Sequence, residues 1–409
     1  MKRYRMAKAA CYLSGISMSV LANISPILFL TFHETFDISY TLLGLLVLVN
    51  FCTQLAVDLL FSFFASRLPL GLSVRATPFL AIAGLLIYTV GPSLFEGAVY
   101  LCLLIGTVLF SISAGLSEVL TSPVIAAIPS KDPEAEMSRF HSVYAWGTAG
   151  VVIFATVFLR IFERTAWQAL VLLLSLIPIA TAVCYVLAEL PPLPKEASGG
   201  KGGMFRHAGV YLCVAAIFMG GAAECTMSQW ASGYLEMALG IPKVLGDVFG
   251  MAAFAIMLGL GRVLFAARAK NILPILIFGS FSAAACYLVA SLSPFPYLGL
   301  VACALTGFCT AMLWPGNLIL SSEHYPEAGV ALYALMAAGG DLGASVAPQM
   351  VGALTDAIAE NPHAVAFLFN GGAPEQVGMR FGMLIASLFP LLGGAILLVL
   401  RRYFKKKRA

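Results

Sequence analysis

Long apolar stretches separated by short polar segments run through almost the whole chain. Each stretch reaches the roughly 20 residues that a helix needs to cross the hydrocarbon core of a bilayer. The pattern predicts an all-α membrane protein with twelve transmembrane helices. The predicted spans are 7–32, 39–64, 75–93, 97–128, 140–162, 168–190, 208–237, 246–267, 272–291, 296–321, 330–357 and 379–400.

Charged residues are scarce, at 11% of 409 residues, whereas soluble proteins carry about 25%. If both termini are cytoplasmic, 20 of the 24 Lys and Arg residues fall on the cytoplasmic side, and Arg262 is one of these 20. This asymmetry predicts cytoplasmic termini in a bacterial plasma membrane. The basic tail, residues 401–409, predicts contact with anionic lipid rather than with nucleic acid.

A polar segment, residues 191–207, interrupts the pattern near the middle of the chain and is rich in Pro, Gly, Ser and Lys. Such a composition is typical of a flexible linker. We therefore expect an N-terminal six-helix bundle over residues 1–190 and a C-terminal six-helix bundle over residues 208–409, which includes the basic tail.

The two predicted bundles share short sequence motifs at a fixed offset. The tripeptide Pro-Glu-Ala at 133–135 recurs at 326–328, 193 residues later. At the same offset Gly147 and Gly150 align with Gly340 and Gly343. These matches predict two pseudo-symmetric halves, and the four glycines are expected to permit close helix approach.

Two six-span halves joined by a central linker resemble the major facilitator superfamily over essentially the whole chain. The signature loop of that superfamily between spans two and three is degraded here. Arg67, Gly71 and Arg75 remain, whereas Ser66 stands where the superfamily has an acid. The resemblance implies a transporter that acts as a monomer, with Arg67 and Arg75 as gating residues.

The fourth span resembles the fucose/galactose/glucose proton symporter group, whose helix reads Gly-Leu-x-Glu-x-x-x-Asn-Pro. Here Gly115-Leu116-Ser117-Glu118 matches, and Ser122-Pro123 follows with Ser in place of Asn. Met-Leu-Trp-Pro at 312–315 is similar to that group's Met-Phe-Pro on span ten. The resemblance implies that Glu118 carries a proton.

Four acids lie well inside the predicted spans, and no Lys or Arg is expected at a comparable depth. They are Asp58, Glu118, Glu224 and Asp341. If all were ionised and unpaired, inserting them would cost on the order of 10 kcal/mol. Some are therefore expected to be neutral, solvated or bridged, and a polar interhelical hydrogen bond is the alternative role for each. Glu118 and Glu224 are the predicted proton-coupling residues.

The resemblance implies that spans one, four, seven and ten line a central cavity. A carboxylate, an amide and an indole suit a hydroxylated solute, because the ring can pack on an apolar sugar face. Trp230 could instead anchor the span at the membrane interface. The predicted solute contacts are Asn23, Glu118, Ser122, Glu224, Gln229, Trp230, Thr310, Trp314 and Asn317.

Asp58 on span two and Asp341 on span eleven are predicted gating residues. The resemblance implies that these two spans meet, so the two acids could share a depth near the cytoplasmic side. Like charges at close range would force one acid to keep its proton.

The favoured hypothesis is a proton-coupled symporter that imports a small polar, sugar-like solute by alternating access. A drug or metabolite antiporter is the alternative, although span five lacks the Gly-Pro ending of the drug exporters. Sodium coupling also stays open, because carboxylates and hydroxyls ligate sodium equally well. The sequence shows no clustered nucleophile and base for an enzyme. We expect no metal and no cofactor, only solute, protons and lipid as partners.

Overall fold

The structure is a computed structural model that describes residues 3–64, 69–131, 133–192, 207–266, 272–325, 329–370 and 372–408. Every regular element within these ranges is helical. The first half contains α1 Arg5–Phe36, α2 Tyr40–Phe64, α3 Leu70–Leu94, α4 Val99–Ala127, α5 Pro133–Phe162, α6 Trp167–Leu174 and α7 Leu176–Leu187. The second half contains α8 Ala208–Met237, α9 Lys243–Leu245, a π-helical turn Gly246–Ala252, α10 Ala253–Ala266, α11 Ile272–Leu292, α12 Pro296–Thr310, α13 Pro315–His324, α14 Gly329–Ala359, α15 Pro362–Phe367, α16 Pro374–Ala386 and α17 Leu388–Arg408.

These helices account for the twelve predicted spans. In the described part of the chain, ten helical segments are long and apolar enough to cross a membrane. The shorter apolar run Trp146–Phe162 within α5 and the long helix α14 supply the other two. The prediction of an all-α, twelve-span fold is confirmed.

Spans six and twelve are each broken at one serine, Ser175 between α6 and α7 and Ser387 between α16 and α17. Each serine begins a Ser-Leu-x-Pro motif, and the proline, Pro178 or Pro390, cannot donate to the helix ladder. Both serine hydroxyls donate to the carbonyl three residues earlier at 2.6 Å. The same local break in both halves is a second sign of the internal repeat.

Helix contacts divide the chain into two compact units, and the first comprises Met1–Phe36 and Val49–Ala197. Helix α3 packs against α4, and α1 packs against α5. A Cβ atom on Gly84 of α3 would lie 2.8 Å from the carbonyl oxygen of Gly106 of α4. A Cβ atom on Gly147 of α5 would lie 2.6 Å from Ser19 Oγ of α1. Glycines therefore set the closest helix approaches in this unit.

The second unit comprises Asp37–Leu48 and Ser198–Ala409. Helix α14 packs against α8, as α5 packs against α1 in the first unit. The approach is close, because a Cβ atom on Gly343 would overlap the carbonyl oxygen of Phe218. Gly150 makes no such approach in this conformation, since no atom of the described residues lies within 4 Å of a Cβ built there. Gly150 occupies an open face of α5, where side-chain size is not restricted.

The first residues of α2 belong to this second unit, which the sequence pattern did not predict. The backbone amides of Tyr40 and Thr41 donate to the two carboxylate oxygens of Asp356 at 3.1 and 2.5 Å. Asp356 on α14 thereby caps the first turn of α2, whose amides have no intrahelical acceptor. The predicted linker lies mostly outside the described residues, as does the second Pro-Glu-Ala motif at 326–328.

Candidate functional site

Glu118 lies on a polar stripe of α4 that begins against α2. Ser111, two turns earlier on α4, donates its hydroxyl to Asn50 Oδ1 at 2.5 Å. Gln54 Nε2 donates to the same oxygen at 3.1 Å. Gly115 lets the helices come close, because a Cβ atom there would lie 3.0 Å from Val57 Cβ. The stripe is thus packed and hydrogen-bonded up to the turn that carries Glu118.

The Glu118 side chain itself is exposed. The large apolar residues exposed on the same helix, Leu101 and Ile105, mark the face that suits lipid. Glu118 follows Ile105 by thirteen positions and Leu101 by seventeen, which at about 100° per residue places it about 140° and about 100° away from them around the helix. The carboxylate therefore points away from the apolar exposed face and can reach water or a solute without crossing lipid.

Glu224 of α8 forms an ion pair with a basic residue that the sequence placed at the cytoplasmic side. Arg262 Nη2 of α10 lies 3.0 Å from Glu224 Oε1. The Glu224 side chain is 13% exposed and that of Arg262 is 42% exposed. Glu224 Oε2 is buried and accepts no hydrogen bond from the described residues. The expectation that no basic residue lies as deep as the acids is wrong here, because the long guanidinium side chain reaches back from the last turns of α10.

The same arginine also touches the break in span ten. Helix α12 ends at Thr310 and α13 begins at Pro315, which has no N–H to donate to the carbonyl of Ala311 four residues earlier. Arg262 Nε donates to this carbonyl at 3.3 Å. A single guanidinium thus joins the carboxylate of Glu224 to the broken span.

The three residues of span ten that were predicted to contact the solute differ in their burial and in their hydrogen bonds. Trp314 is half-buried, with its ring against Gly221 of α8 and Gly340 of α14. Asn317 is 1% exposed and donates Nδ2 to Leu313 O at 2.6 Å, whereas its Oδ1 accepts nothing from the described residues. Thr310 is fully buried, and its hydroxyl donates to a carbonyl of its own helix. Asn317 therefore offers an unused buried acceptor, and Thr310 does not.

The two predicted contacts at the end of span seven are buried. Trp230 is 0% exposed, and its indole N–H donates to Pro348 O of α14 at 2.9 Å. Its ring centroid lies 6.2 Å from that of Tyr40. Gln229 is 6% exposed. Trp230 is placed as a packing residue, because neither its ring face nor its N–H is open to a solute in this conformation.

In the first unit, Asn23 of α1 is 6% exposed and donates Nδ2 to Ser19 O at 2.7 Å and to Thr148 Oγ1 at 3.4 Å. Ser122 of α4 is half-buried, one turn beyond Glu118. Asn23 thus links α1 to α5, and Ser122 extends the polar stripe of α4.

The predicted gating residues lie in different surroundings. Asp58 on α2 is half-buried, and Asp341 on α14 is 8% exposed. Arg75 donates Nη2 to the carbonyl of Ala188 at 3.0 Å, just after the end of α7. Arg75 therefore caps a helix end, and among the described residues no ion pair of Arg75 with an acid is seen. Arg67 lies outside the described residues.

The structure also contains a buried acid, Asp247, that the sequence pattern did not identify. Asp247, in the π-helical turn, is 0% exposed, and its Oδ1 lies 3.4 Å from Lys243 Nζ. The hydroxyl of Ser232 on α8 donates to the same carboxylate oxygen. The Lys-x-x-x-Asp spacing is the available sequence signal, since residues four apart face each other on a helix. No group of three metal-ligating side chains occurs in the described part.

The fold of this chain is similar to those of several transporters of known structure. A bacterial homologue of the human lysosomal transporter Spinster, in an inward-facing and occupied conformation, has a TM-score of 0.77 at 14% identity, over 99% of this chain and 98% of that one. The nucleoside transporter NupG, in a single-residue variant form, has a TM-score of 0.76 at 9% identity, over 97% and 98%. A D-xylose–proton symporter has a TM-score of 0.71 at 15% identity, over 94% and 96%.

At these identities the three structures establish the fold alone. A comparison with curated protein sequences finds no match. The sequence profile of the Major Facilitator Superfamily matches residues 10–348, most of the length of the chain. This protein, with its two repeated bundles and twelve spans, belongs to the Major Facilitator Superfamily.

Proposed function

We propose that this transporter takes up a small polar, sugar-like solute together with protons across the bacterial cytoplasmic membrane, by alternating access. Its superfamily and fold are those of transporters rather than enzymes. The observation that carries the proposal is the exposed carboxylate of Glu118, set in the middle of a span and turned away from the apolar exposed face.

A carboxylate in this position suits proton transfer for a simple electrostatic reason. Its charged form is costly where the surroundings are poor in water, and its protonated form is not. The Glu118 side chain is exposed, whereas Ser117 before it is buried. A proton or a hydroxylated solute can therefore reach the carboxylate.

The second carboxylate, Glu224, is proposed to link protonation to movement. With Glu224 charged, Arg262 holds both the carboxylate and the freed carbonyl of Ala311 at the break in span ten. Protonation of Glu224 would remove the ion pair and leave the guanidinium with a neutral partner. The break in span ten would then change its geometry more easily. Because the ion pair stabilises this arrangement only while Glu224 is charged, protonation would shift the conformational equilibrium.

The solute contacts are proposed separately for each unit. In the first unit they are Glu118 and Ser122 on α4, together with Asn23 on α1. In the second unit they are Trp314, which offers a half-buried ring, and Asn317, which offers an unused acceptor. Two transporters with this fold are named for nucleosides and for xylose, and both compounds carry hydroxyl groups that such contacts could bind.

The test is solute and proton flux in proteoliposomes with a Glu118→Gln variant. We expect the variant to lose uphill solute accumulation, because glutamine cannot bind and release a proton, and to keep counterflow exchange. Glu96→Gln is the matched control, since Glu96 is an exposed carboxylate in the loop before the same span. Unchanged accumulation in Glu118→Gln would refute the assignment.

The same vesicles separate uptake from efflux. Proton entry on adding a sugar-like solute supports symport. Proton release driven by a lipophilic cation, with no response to polar solutes, would instead establish a drug antiporter. A sodium gradient that drives uptake without a pH gradient would replace the proton as the coupling ion.

A further inference from the structure

Two buried tyrosines connect α8 with α11, one from each helix. The hydroxyl of Tyr287 on α11 donates to the carbonyl of Ala223 on α8 at 2.7 Å. The hydroxyl of Tyr234 on α8 donates to the carbonyl of Ala290 on α11 at 2.5 Å. Both tyrosines are 0% exposed. The two bonds have the same chemistry and the same burial, but only the first reaches the turn of α8 that carries Glu224.

The carbonyl that Tyr287 binds belongs to the peptide group that joins Ala223 to Glu224. Inside the continuous helix α8 this carbonyl also has a helical donor, the amide four residues later. A carbonyl oxygen can accept two hydrogen bonds, so the tyrosine adds a second bond to a group that the helix already satisfies. The hydroxyl is therefore not needed to satisfy the backbone, and its contribution is to hold the peptide group in place.

The turn of α8 before Glu224 is weak as a helix. Gly220 and Gly221 lie in it, and glycine in a helix interior is less favourable than alanine because its backbone is freer. A larger residue does not fit, since a Cβ atom on Gly220 would lie 2.9 Å from Leu313 Cβ. The hydrogen bond from α11 therefore restrains a turn that side chains of α8 itself cannot stiffen.

The position of Glu224 matters because its ion pair uses one carboxylate oxygen. Arg262 Nη2 lies 3.0 Å from Glu224 Oε1, whereas Glu224 Oε2 accepts no hydrogen bond from the described residues. A hydrogen bond weakens steeply when its angle leaves the favourable range. Arg262 comes from α10 and Tyr287 from α11, so two different helices hold the side chain and the backbone of Glu224.

We propose that Tyr287 is a positioning residue that fixes Glu224 opposite Arg262. The inference rests on the proposed role of Glu224 in proton coupling and adds a residue that no step of that proposal uses. With the hydroxyl in place, protonation of Glu224 releases Arg262 and the break in span ten while the turn of α8 stays fixed. Without the hydroxyl, movement of α8 itself absorbs part of this response, so proton binding and solute movement are linked less tightly.

The test variant is Tyr287→Phe, which removes the hydroxyl and keeps the buried ring. Tyr234→Phe is the matched control, because it removes the other hydroxyl bond between the same two helices, ten residues along α8 from Glu224. The control is the harsher change for stability, since Ala290 lies in the last turn of α11, where carbonyls lack helical donors. In proteoliposomes, the ratio of uphill solute accumulation to counterflow exchange should fall about two- to tenfold in Tyr287→Phe alone, as expected for one ordinary hydrogen bond.

A second measurement tests the positioning role independently of transport. The coupling between Glu224 and Arg262 is measured by a double-mutant cycle on unfolding in mixed micelles, with Glu224→Gln and Arg262→Met, in the Tyr287→Phe and Tyr234→Phe backgrounds. We expect the coupling, expressed as a ratio of equilibrium constants, to fall about two- to tenfold in the Tyr287→Phe background. In the Tyr234→Phe background it should equal the coupling in the unmodified protein.

Equal coupling in the two backgrounds would overturn the positioning role. An equal fall of the transport ratio in Tyr287→Phe and Tyr234→Phe would also overturn it, because it would show a general effect of loosening α8 against α11. If Glu224→Gln itself keeps full uphill accumulation, the proposed proton-coupling role of Glu224 fails instead. The cycle on unfolding then still decides whether Tyr287 positions the carboxylate.

Discussion

The ion pair between Glu224 and Arg262 gives the sharpest test of the structure. Replacing Arg262 by methionine keeps most of the side-chain volume and removes the charge, which leaves Glu224 Oε1 without its partner 3.0 Å away. We expect Arg262→Met to destabilise the protein, and Glu224→Gln to relieve much of that loss when the two changes are combined.

The expected magnitude follows from distance and exposure. Two unit charges 3.0 Å apart attract by about 5–6 kcal/mol at an effective dielectric constant of about 20. Much of this is offset by desolvation. Exposed pairs contribute about 0–1 kcal/mol, and breaking a buried pair costs about 3–5 kcal/mol. Because Arg262 is 42% exposed and Glu224 only 13%, we expect a coupling energy of about 2 kcal/mol.

The assay is a double-mutant cycle on the free energy of unfolding in mixed micelles, with the two single variants and the double variant. The exposed pair Arg164–Glu34 is the internal control, since its Nη1–Oε2 distance is 2.6 Å but its side chains are 30% and 52% exposed. A shorter distance with a smaller coupling would show that burial, not proximity, sets the energy. A Glu224–Arg262 coupling below about 0.5 kcal/mol, or below that of the control pair, would refute the reasoning.

Three further predictions follow from single contacts. Gly343→Ala should destabilise the protein by about 1–3 kcal/mol, because a Cβ atom there overlaps a carbonyl of α8. Gly150→Ala should be neutral or slightly stabilising, and thermal unfolding of the two variants measures the difference. Asp356→Ala should cost about 1 kcal/mol by removing the cap on the first turn of α2, seen as faster amide exchange in that turn. Glu136 has a lowered pKa in the folded protein, so its interaction with Lys8 should stabilise the protein above the ordinary glutamate pKa and be lost as pH falls through the lowered value. The unfolding temperatures of the unmodified protein and Glu136→Gln should therefore converge at low pH, and a constant gap would contradict the ion pair.

Much of the architecture could be predicted from local sequence. Hydropathy located the twelve spans, whereas the break in span ten before Pro315 was not predicted. The start of α5 was not predicted, because the helix begins at Pro133, seven residues before the predicted start of span five at residue 140. The spans themselves are local features, because a helix in lipid satisfies its own backbone hydrogen bonds, so the residues of one segment suffice to determine it.

The candidate site could be predicted only in part. The position of Glu118 in a span and on a polar stripe followed from helical spacing alone. The pairing of Glu224 with Arg262 did not, because depth counted in residues ignores the reach of a long side chain and the crossing of two helices. The burial of Trp230 was missed for a related reason, since an indole can serve a solute, an interface or a core with the same sequence around it.

Taken alone, the sequence determined that the chain crosses a membrane twelve times as a repeated bundle with acids inside its spans. Only the tertiary structure decided which face of each span meets protein, and that Asp356 caps the start of α2. The physical reason is that lipid and protein interior are both apolar, so hydropathy distinguishes membrane from water but not one helix face from another. Partners between distant segments are set by packing, which no local pattern encodes.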